Sequence, residues 1–351
     1  MEKLLSAFRL RGRPLRWSRY GEGHINQTWL VETDERRYIL QRLSRAAFAD
    51  IPGLMENVAA VTAYLAAQST DPRACLHLIP TVDGGCWVRD AEGETWRMYD
   101  FIEDSLCLQT PETPEDFYQS AVAFGGFQRM LRGFPAETLH ETIPNFHNTP
   151  DRYRKFRETL AADPLGRARE VRAEIAFFLR REEDGAALQR MRESGALPLR
   201  VTHNDTKLNN VMLDARTRRA LCVIDLDTVM PGLAAYDFGD SIRFGASTGA
   251  EDERDLARIA LDLGLYETFT RGFVRACGDM DARERESLPL GAKIMTLECG
   301  LRFLTDYLDG DHYFSIARPA HNLDRARTQI RLVEDMERKW DAMQRIVRDC
   351  T

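Results

Sequence analysis

Residues 199–232 read LRVTHNDTKLNNVMLDARTRRALCVIDLDTVMPG. Short apolar, β-branched runs alternate with polar punctuation. The pattern predicts a strand over 199–202, a loop over 203–210, a strand over 211–213, a turn over 214–219 and a strand over 220–224 that delivers Asp225. The polar residues stand where the strands end. His203 and Asp205 form an H-x-D, Asn210 follows Asp205 by five positions, and Asp225 follows Asn210 by fifteen. Phosphoryl transfer from a nucleotide needs a carboxylate to aim the acceptor hydroxyl and take its proton, and oxygen ligands to hold a metal ion against the phosphates. Asp205 fits the first role. Asn210 and Asp225 fit the second, because magnesium prefers hard oxygen donors. An H-x-D-x-x-x-x-N followed by an apolar run and a further Asp, each at a strand end, is a specific signal. His203 is expected to pack and hydrogen-bond so as to hold the loop.

Outward from this island the chain changes character. Residues 14–43 are rich in aromatic and β-branched residues and are punctuated by Gly21, Gly23 and Asp34-Glu35, so strands are expected there. Asp50-Ile51-Pro52 opens a helix whose apolar stripe is Leu54, Val58, Val61 and Leu65. Residues 76–103 return to a strand pattern, in HLIPTV, CWVRD and TWRMYDFI. Thr113-Pro114-Glu115-Asp116 then starts a helix with a capping Thr, a first-turn Pro and acids at the positive end of the dipole. Stretches 150–195 and 251–349 are helical and charge-rich. The expected organisation is an N-terminal nucleotide-binding lobe over 1–103 and a C-terminal catalytic and acceptor-binding lobe over 104–351, hinged near Tyr99–Asp104.

Composition narrows the class. The 351 residues correspond to about two domains. Lys and Arg number 48 against 55 Asp and Glu, a net charge of −7, which argues against a general nucleic-acid binder. There is no run of about 18 apolar residues and no apolar signal core at the N-terminus, so no membrane association is expected. The seven cysteines show no C-x-x-C spacing and read as free thiols of a cytoplasmic protein. A monomer is the default expectation.

Gly21-Glu22-Gly23-His24-Ile25-Asn26 is a G-x-G-x-x-N between two strands. It fits a loop folded over phosphates, where glycines let backbone N–H groups approach. No G-x-x-x-x-G-K-[ST] occurs, which removes the P-loop enzymes.

HNDTKLNNVMLD (203–214) with VIDLDTVMPGLAAYDFGD (223–240) resembles the aminoglycoside phosphotransferase and choline kinase family. GEGHINQTW (21–29), YILQRL (38–43), LMENV (54–58) and DFGDSIRFGA (237–246) are similar to the N-acetylhexosamine 1-kinases within it. The similarity runs from about residue 14 to the mid-320s. It implies an α+β, protein-kinase-like two-lobed fold, with a small β-rich N-lobe and a larger, mostly helical C-lobe. It implies ATP and magnesium as cofactors and direct in-line transfer to the anomeric hydroxyl of a small-molecule sugar, with Asp205 as base and Asn210 and Asp225 as metal ligands. Asp227 would support the metal site or the loop, and Asp237 would tie a helix start to the catalytic loop.

In such a fold the strand YILQRL should carry a Lys that meets the nucleotide phosphates and a helix Glu. Gln41 and Arg42 stand there instead, and strand alternation lets only one of them face the phosphates. Glu56 is the candidate partner. Adenine is expected under the hinge, walled by Met98 or Tyr99, with Gly21, Gly23 and Asn26 over the phosphates. The resemblance places His24, Phe244, Arg302 and Tyr313 at the sugar. Choline, ethanolamine, homoserine or an aminoglycoside is the alternative acceptor class, kept open by the acidic stretch Asp306–Asp311. A nucleotide-sensing pseudokinase is a third reading, resting only on the missing Lys.

Overall fold

The computed structural model of the chain describes residues 1–21 and 25–350. Its contacts divide it into two units. The first comprises residues 1–107, 130–144 and 210–231, and the second 108–129, 145–209 and 232–351.

The first unit is built on a five-stranded antiparallel sheet. Its strands are β1 (Pro14–Arg19), β2 (Gln27–Thr33), β3 (Arg37–Arg42), β4 (Val88–Arg89) and β5 (Thr95–Asp100), in the order β1-β2-β3-β5-β4. Side chains alternate across the sheet. Tyr38 and Leu40 of β3 and Trp96 and Met98 of β5 join Leu5, Phe8, Val31 and Ile79 in one buried cluster. Residues 39, 41, 97 and 99 therefore belong to the opposite face. Helix α1 (Ile51–Gln68) starts where the sequence predicts, because the Asp50 carboxylate accepts from the Gly53 amide at 3.0 Å. Its predicted stripe Leu54, Val58, Val61 and Leu65 is buried throughout.

HLIPTV does not form a strand. It makes only isolated bridges, including Leu78 to Tyr99, because Pro80 has no N–H to extend a ladder and the chain turns at Gly84, whose φ is +86°. The unit also holds a three-stranded sheet of β6 (Ser105–Cys107), β7 (Val211–Asp214) and β8 (Ala220–Val223). The Asp214 carboxylate fastens the β7–β8 turn. It accepts from the Thr217 amide at 2.9 Å and from its hydroxyl at 3.0 Å. These bonds, with Arg73 beside it, lower its pKa to about 2.

The second unit is helical. Its main elements are α2 (Pro114–Met130), α3 (Thr149–Ala162), α4 (Ala234–Gly245), α5 (Leu263–Cys277), α6 (Ala282–Asp309), α7 (His321–Arg338) and α8 (Trp340–Asp349). Helix α6 starts with a reciprocal capping box between Asp281 and Glu284 and lies against α4 and α7. Glycine sets the α4–α6 approach. A Cβ at Gly239 would stand 2.3 Å from the Gly291 carbonyl oxygen, and one at Gly291 would stand 2.3 Å from that of Ala235. Any side chain there would push apart the helix that carries Asp237 and Asp240. The mixed α+β architecture is the one the sequence predicts. No helix among the described residues is long and apolar enough to cross a membrane.

Candidate active site

In the second unit, the first turns of α4 act as a template for residues 203–206. The Asp237 carboxylate accepts from the His203 amide at 3.0 Å, the Asn204 amide at 2.8 Å and Gln128 Nε2 at 2.7 Å. The Thr206 hydroxyl donates to the Asp237 carbonyl at 2.6 Å, and its amide donates to Asp240 at 3.0 Å. Asp237 is fully buried, and burial raises its pKa despite the amides that favour the charged form. Burial also opposes ionisation of Asp240, but Arg243 and Lys207 outweigh it and hold that carboxyl below its usual range.

Asn204 accepts a left-handed backbone, φ +66°, which Asn tolerates better than most residues. His203 is buried, with its ring edge-on to Phe124 and Phe127 at 5.5 and 6.0 Å. The Asp205 amide donates to its Nδ1 at 3.3 Å, so the neutral ring carries its proton on Nε2. His203 therefore packs and orients, as the sequence predicts. The Asp205 side chain is 29% exposed and reachable by a substrate. Lys207 Nζ lies 3.0 Å from Asp205 Oδ1. Burial works against the Lys207 charge, while Asp205 and Asp240 raise its pKa overall. No spacing in the sequence singles out Lys207, two positions beyond Asp205.

In the first unit, the Ile224 amide donates to the Asn210 carbonyl at 2.9 Å, which draws Asn210 beside the residue preceding Asp225. Asp225 is exposed and sits in a left-handed conformation, φ +59°, at the end of β8. One amide oxygen and one exposed carboxylate thus stand at adjoining strand ends. This donor set fits a magnesium ion that takes its remaining ligands from water and phosphate. Among the described residues there is no cluster of three or more His, Cys, Asp or Glu side chains able to cage a metal.

Asp227, two residues on, is buried and bound on both sides. Its Oδ1 is 2.5 Å from Arg97 Nη1, and its Oδ2 accepts from Asn26 Nδ2 at 2.5 Å. Arg97 also donates to Gln41 Oε1 through Nε at 3.0 Å and Nη2 at 2.9 Å. Burial opposes its charge, but Asp227 raises its pKa overall. The buried cation of this sheet is therefore on β5, opposite Gln41 in register, and not on β3. A charged residue in the middle of the apolar run TWRMYDFI was the signal available for it.

Several expectations need correction. Arg42 shares the face of Tyr38 and Leu40, opposite that of Gln41 and Arg97, so it is not the cation beside Asp227. Glu56 does not pair with β3. Its side chain is 69% exposed and accepts from His140 Nε2 at 2.8 Å, because α1 turns Met55 toward Arg97 instead. Met98 is wholly buried in the cluster on the far face and walls nothing on the Arg97 face. Tyr99 does lie on that face, with the Arg97 Cζ 5.1 Å from its ring centroid, a hydroxyl lacking a hydrogen-bond partner and a pKa raised by burial. Asn26 bonds Asp227 and the Ser44 amide through its side chain, which makes it a brace within the unit. Gly21 is exposed with φ +72°. Gly23 and His24 lie outside the described residues.

On the acceptor side, Phe244 is half-buried on α4. Arg302 of α6 stands amid three rings, its Cζ 5.5 Å from Phe146, 5.5 Å from Tyr313 and 5.4 Å from Phe314. Its Nη2 donates to the Tyr313 hydroxyl at 3.3 Å, and Tyr313 is 68% exposed. Asp306 fixes the segment bearing Tyr313 by accepting from the amides of His312, Tyr313 and Phe314 at 3.0, 2.8 and 2.9 Å.

The chain is similar in structure to a microcompartment-associated aminopropanol kinase, at 18% identity over 98% of this chain and 97% of that one, with a TM-score of 0.65. It is similar to an aminoglycoside phosphotransferase from Alicyclobacillus acidocaldarius, at 14% identity, 99% and 96% coverage and a TM-score of 0.65. It is also similar to a spectinomycin phosphotransferase solved with ADP and spectinomycin, at 13% identity, 95% and 92% coverage and a TM-score of 0.52. At such identities these likenesses speak for the fold. The phosphotransferase enzyme family model matches residues 16–277, a span that takes in β2, Arg97, the 203–210 loop and Asp225, and the chain belongs to that family.

Proposed function

We propose that this phosphotransferase is an ATP- and magnesium-dependent kinase that phosphorylates the anomeric hydroxyl of an N-acetylhexosamine, N-acetylglucosamine or N-acetylgalactosamine, to give the sugar 1-phosphate. The observation that carries the choice of acceptor is the position of Arg302. Three aromatic rings that could cage an ammonium ion already surround the protein's own guanidinium. A neutral acceptor rich in oxygen meets charged donors and apolar ring faces there, which suits a sugar. ADP in the spectinomycin phosphotransferase supports a nucleotide as donor.

Asp205 holds the anomeric hydroxyl and accepts its proton as the sugar oxygen bonds to the γ-phosphorus. The bond from that phosphorus to the β–γ bridging oxygen breaks, and ADP leaves with the electron pair. Asn210 and Asp225 would hold magnesium, whose charge offsets that of the phosphates. Arg97, Gln41, Asn26 and Asp227 form the buried brace beside Asp225.

Aminopropanol, choline or ethanolamine is the second reading, favoured by the likeness to the aminopropanol kinase. Two acids of the stretch that could have served a cationic acceptor are engaged within the protein. Asp306 holds three amides, and Asp311 pairs with Arg167 at 2.8 Å. Incubation with magnesium–ATP and each acceptor, following ADP release beside a reducing-end assay, tests the proposal. ADP release with loss of the reducing end supports it. Turnover confined to amino alcohols or kanamycin rejects the sugar.

A further inference from the structure

Arg152 lies in the first turn of α3, the helix end where the dipole favours negative charge. Its Nη2 donates to the Phe146 carbonyl at 2.7 Å, while its Nε is buried with no hydrogen-bond partner. Arg302 covers the ring of the same Phe146. Phe146 is thus held by two guanidiniums, one on its backbone and one on its ring.

The acids near Arg152 support its charge only through space and make their hydrogen bonds and salt bridges with other groups. Glu298 accepts from His147 Nδ1 at 2.9 Å and from the Thr149 hydroxyl at 2.7 Å. Asp151 pairs with Arg154 at 2.6 Å and Lys155 at 3.2 Å. Among the described residues neither Arg152 nor Arg302 forms a salt bridge of its own. Burial, and then the like charge of Arg302, pull the Arg152 guanidinium below its ordinary pKa.

A buried N–H without a partner and two neighbouring like charges both raise the free energy of the protein by itself. An oxygen acceptor placed between the two forks would relieve both. A carbonyl or carboxylate oxygen meets that need, whereas a protonated amine would add a third positive charge.

We propose that Arg152 is a specificity residue of the acceptor site, binding with Arg302 the carbonyl oxygen of the acceptor's acylamino group and excluding acceptors whose amine is free and protonated. This rests on the reading of the Arg302 side as the acceptor site. A site built to hydrogen-bond a substituent discriminates strongly against analogues lacking it.

The experiment compares wild type, R152M and R152K on N-acetylglucosamine, glucose and glucosamine at pH 7 under saturating magnesium–ATP. For R152M, KM for N-acetylglucosamine should rise by at least about 10-fold with kcat changed much less. Its loss on glucose should be at least about fivefold smaller, and its preference for N-acetylglucosamine over glucosamine should narrow. R152K keeps the charge without the planar fork, and should still reject glucosamine while binding N-acetylglucosamine more weakly. Calorimetric titration of N-acetylglucosamine into protein loaded with magnesium and a non-hydrolysable ATP analogue should show the same R152M loss without turnover.

Equal losses on glucose and N-acetylglucosamine would mark Arg152 as a mere clasp on Phe146 and overturn the inference. An unchanged KM would do the same. If wild type turns over no sugar, the sugar-kinase reading fails, and the same variants are scored on aminopropanol, choline and neutral alcohols. A cationic acceptor used as well or better by R152M overturns the inference. A neutral acceptor whose KM rises in R152M sustains it.

Discussion

Arg97 on β5 and Asp227 just beyond β8 form an ion pair at 2.5 Å with side chains only 1% and 4% exposed. Residues 130 positions apart in the chain thereby lock the five-stranded sheet to the segment that carries Asp225. Removing one partner leaves the other charge buried and uncompensated. R97M is expected to destabilise the protein by roughly 3–5 kcal/mol, and R97M/D227L by clearly less than the sum of the two single changes. Urea unfolding of the single and double variants measures both. Additive losses would show that the pair is not coupled.

Asp205 is the group proposed to take the acceptor proton. D205N should lower kcat by at least about 10²-fold while the affinity for magnesium–ATP stays near wild type. Single-turnover kinetics beside nucleotide titration separates the two, and near-full turnover would remove Asp205 from the role.

Asp237 touches no substrate in this reading, yet it accepts from both amides that set the loop leading to Asp205. D237N weakens two charge-assisted hydrogen bonds in a fully buried place and is expected to cost about 1.5–3 kcal/mol. The loop would shift, and kcat should fall by up to roughly 10²-fold with KM for ATP little changed. Hydrogen exchange of the 203–206 amides should rise in step.

Asp225 and Asn210 are the oxygen donors proposed for the metal. Chelation with EDTA should abolish turnover and added magnesium restore it. D225N should raise the magnesium concentration needed for half-maximal rate by at least about 10-fold. A rate independent of magnesium in wild type would refute the assignment.

Glu298 sets the sign of one pH effect. Burial opposes its ionisation, but His147 and Arg152 hold its carboxyl below the usual value. A depressed folded pKa gives stability that is fully present above the unfolded value of about 4.3 and is lost as pH falls through the folded one. The stability gap between wild type and E298Q should therefore be largest above about pH 5 and shrink on acidification, as thermal unfolding across pH 3–7 would read.

The loop and strands of 199–232 and the start of α1 were legible because their causes are local. Strand-period runs end in polar residues, a capped helix follows at Asp50, and five positions separate Asp205 from Asn210. The tie between Asp237 and the loop came from the family resemblance, and its carboxylate does accept from the His203 and Asn204 amides. What the chain could not declare is which distant charges meet. Gln41 and Arg42 differ only in which face of β3 they occupy, and that is decided by the pairing of Gln41 with Arg97 on β5. Glu56 reads as an ion-pair partner until the rotation of α1 places it in water beside His140. The guanidiniums of Arg152 and Arg302, neither in a salt bridge among the described residues, look like ordinary helix-surface residues in sequence, and only the packing around Phe146 brings both onto one residue. Sequence by itself determined most of the elements, the Asp205–Asn210 spacing and the family resemblance, because periodicity, caps and loop spacing act over a few residues. Tertiary structure alone decided the buried charge pairs, because the low dielectric that makes them matter exists only once distant segments have closed over them.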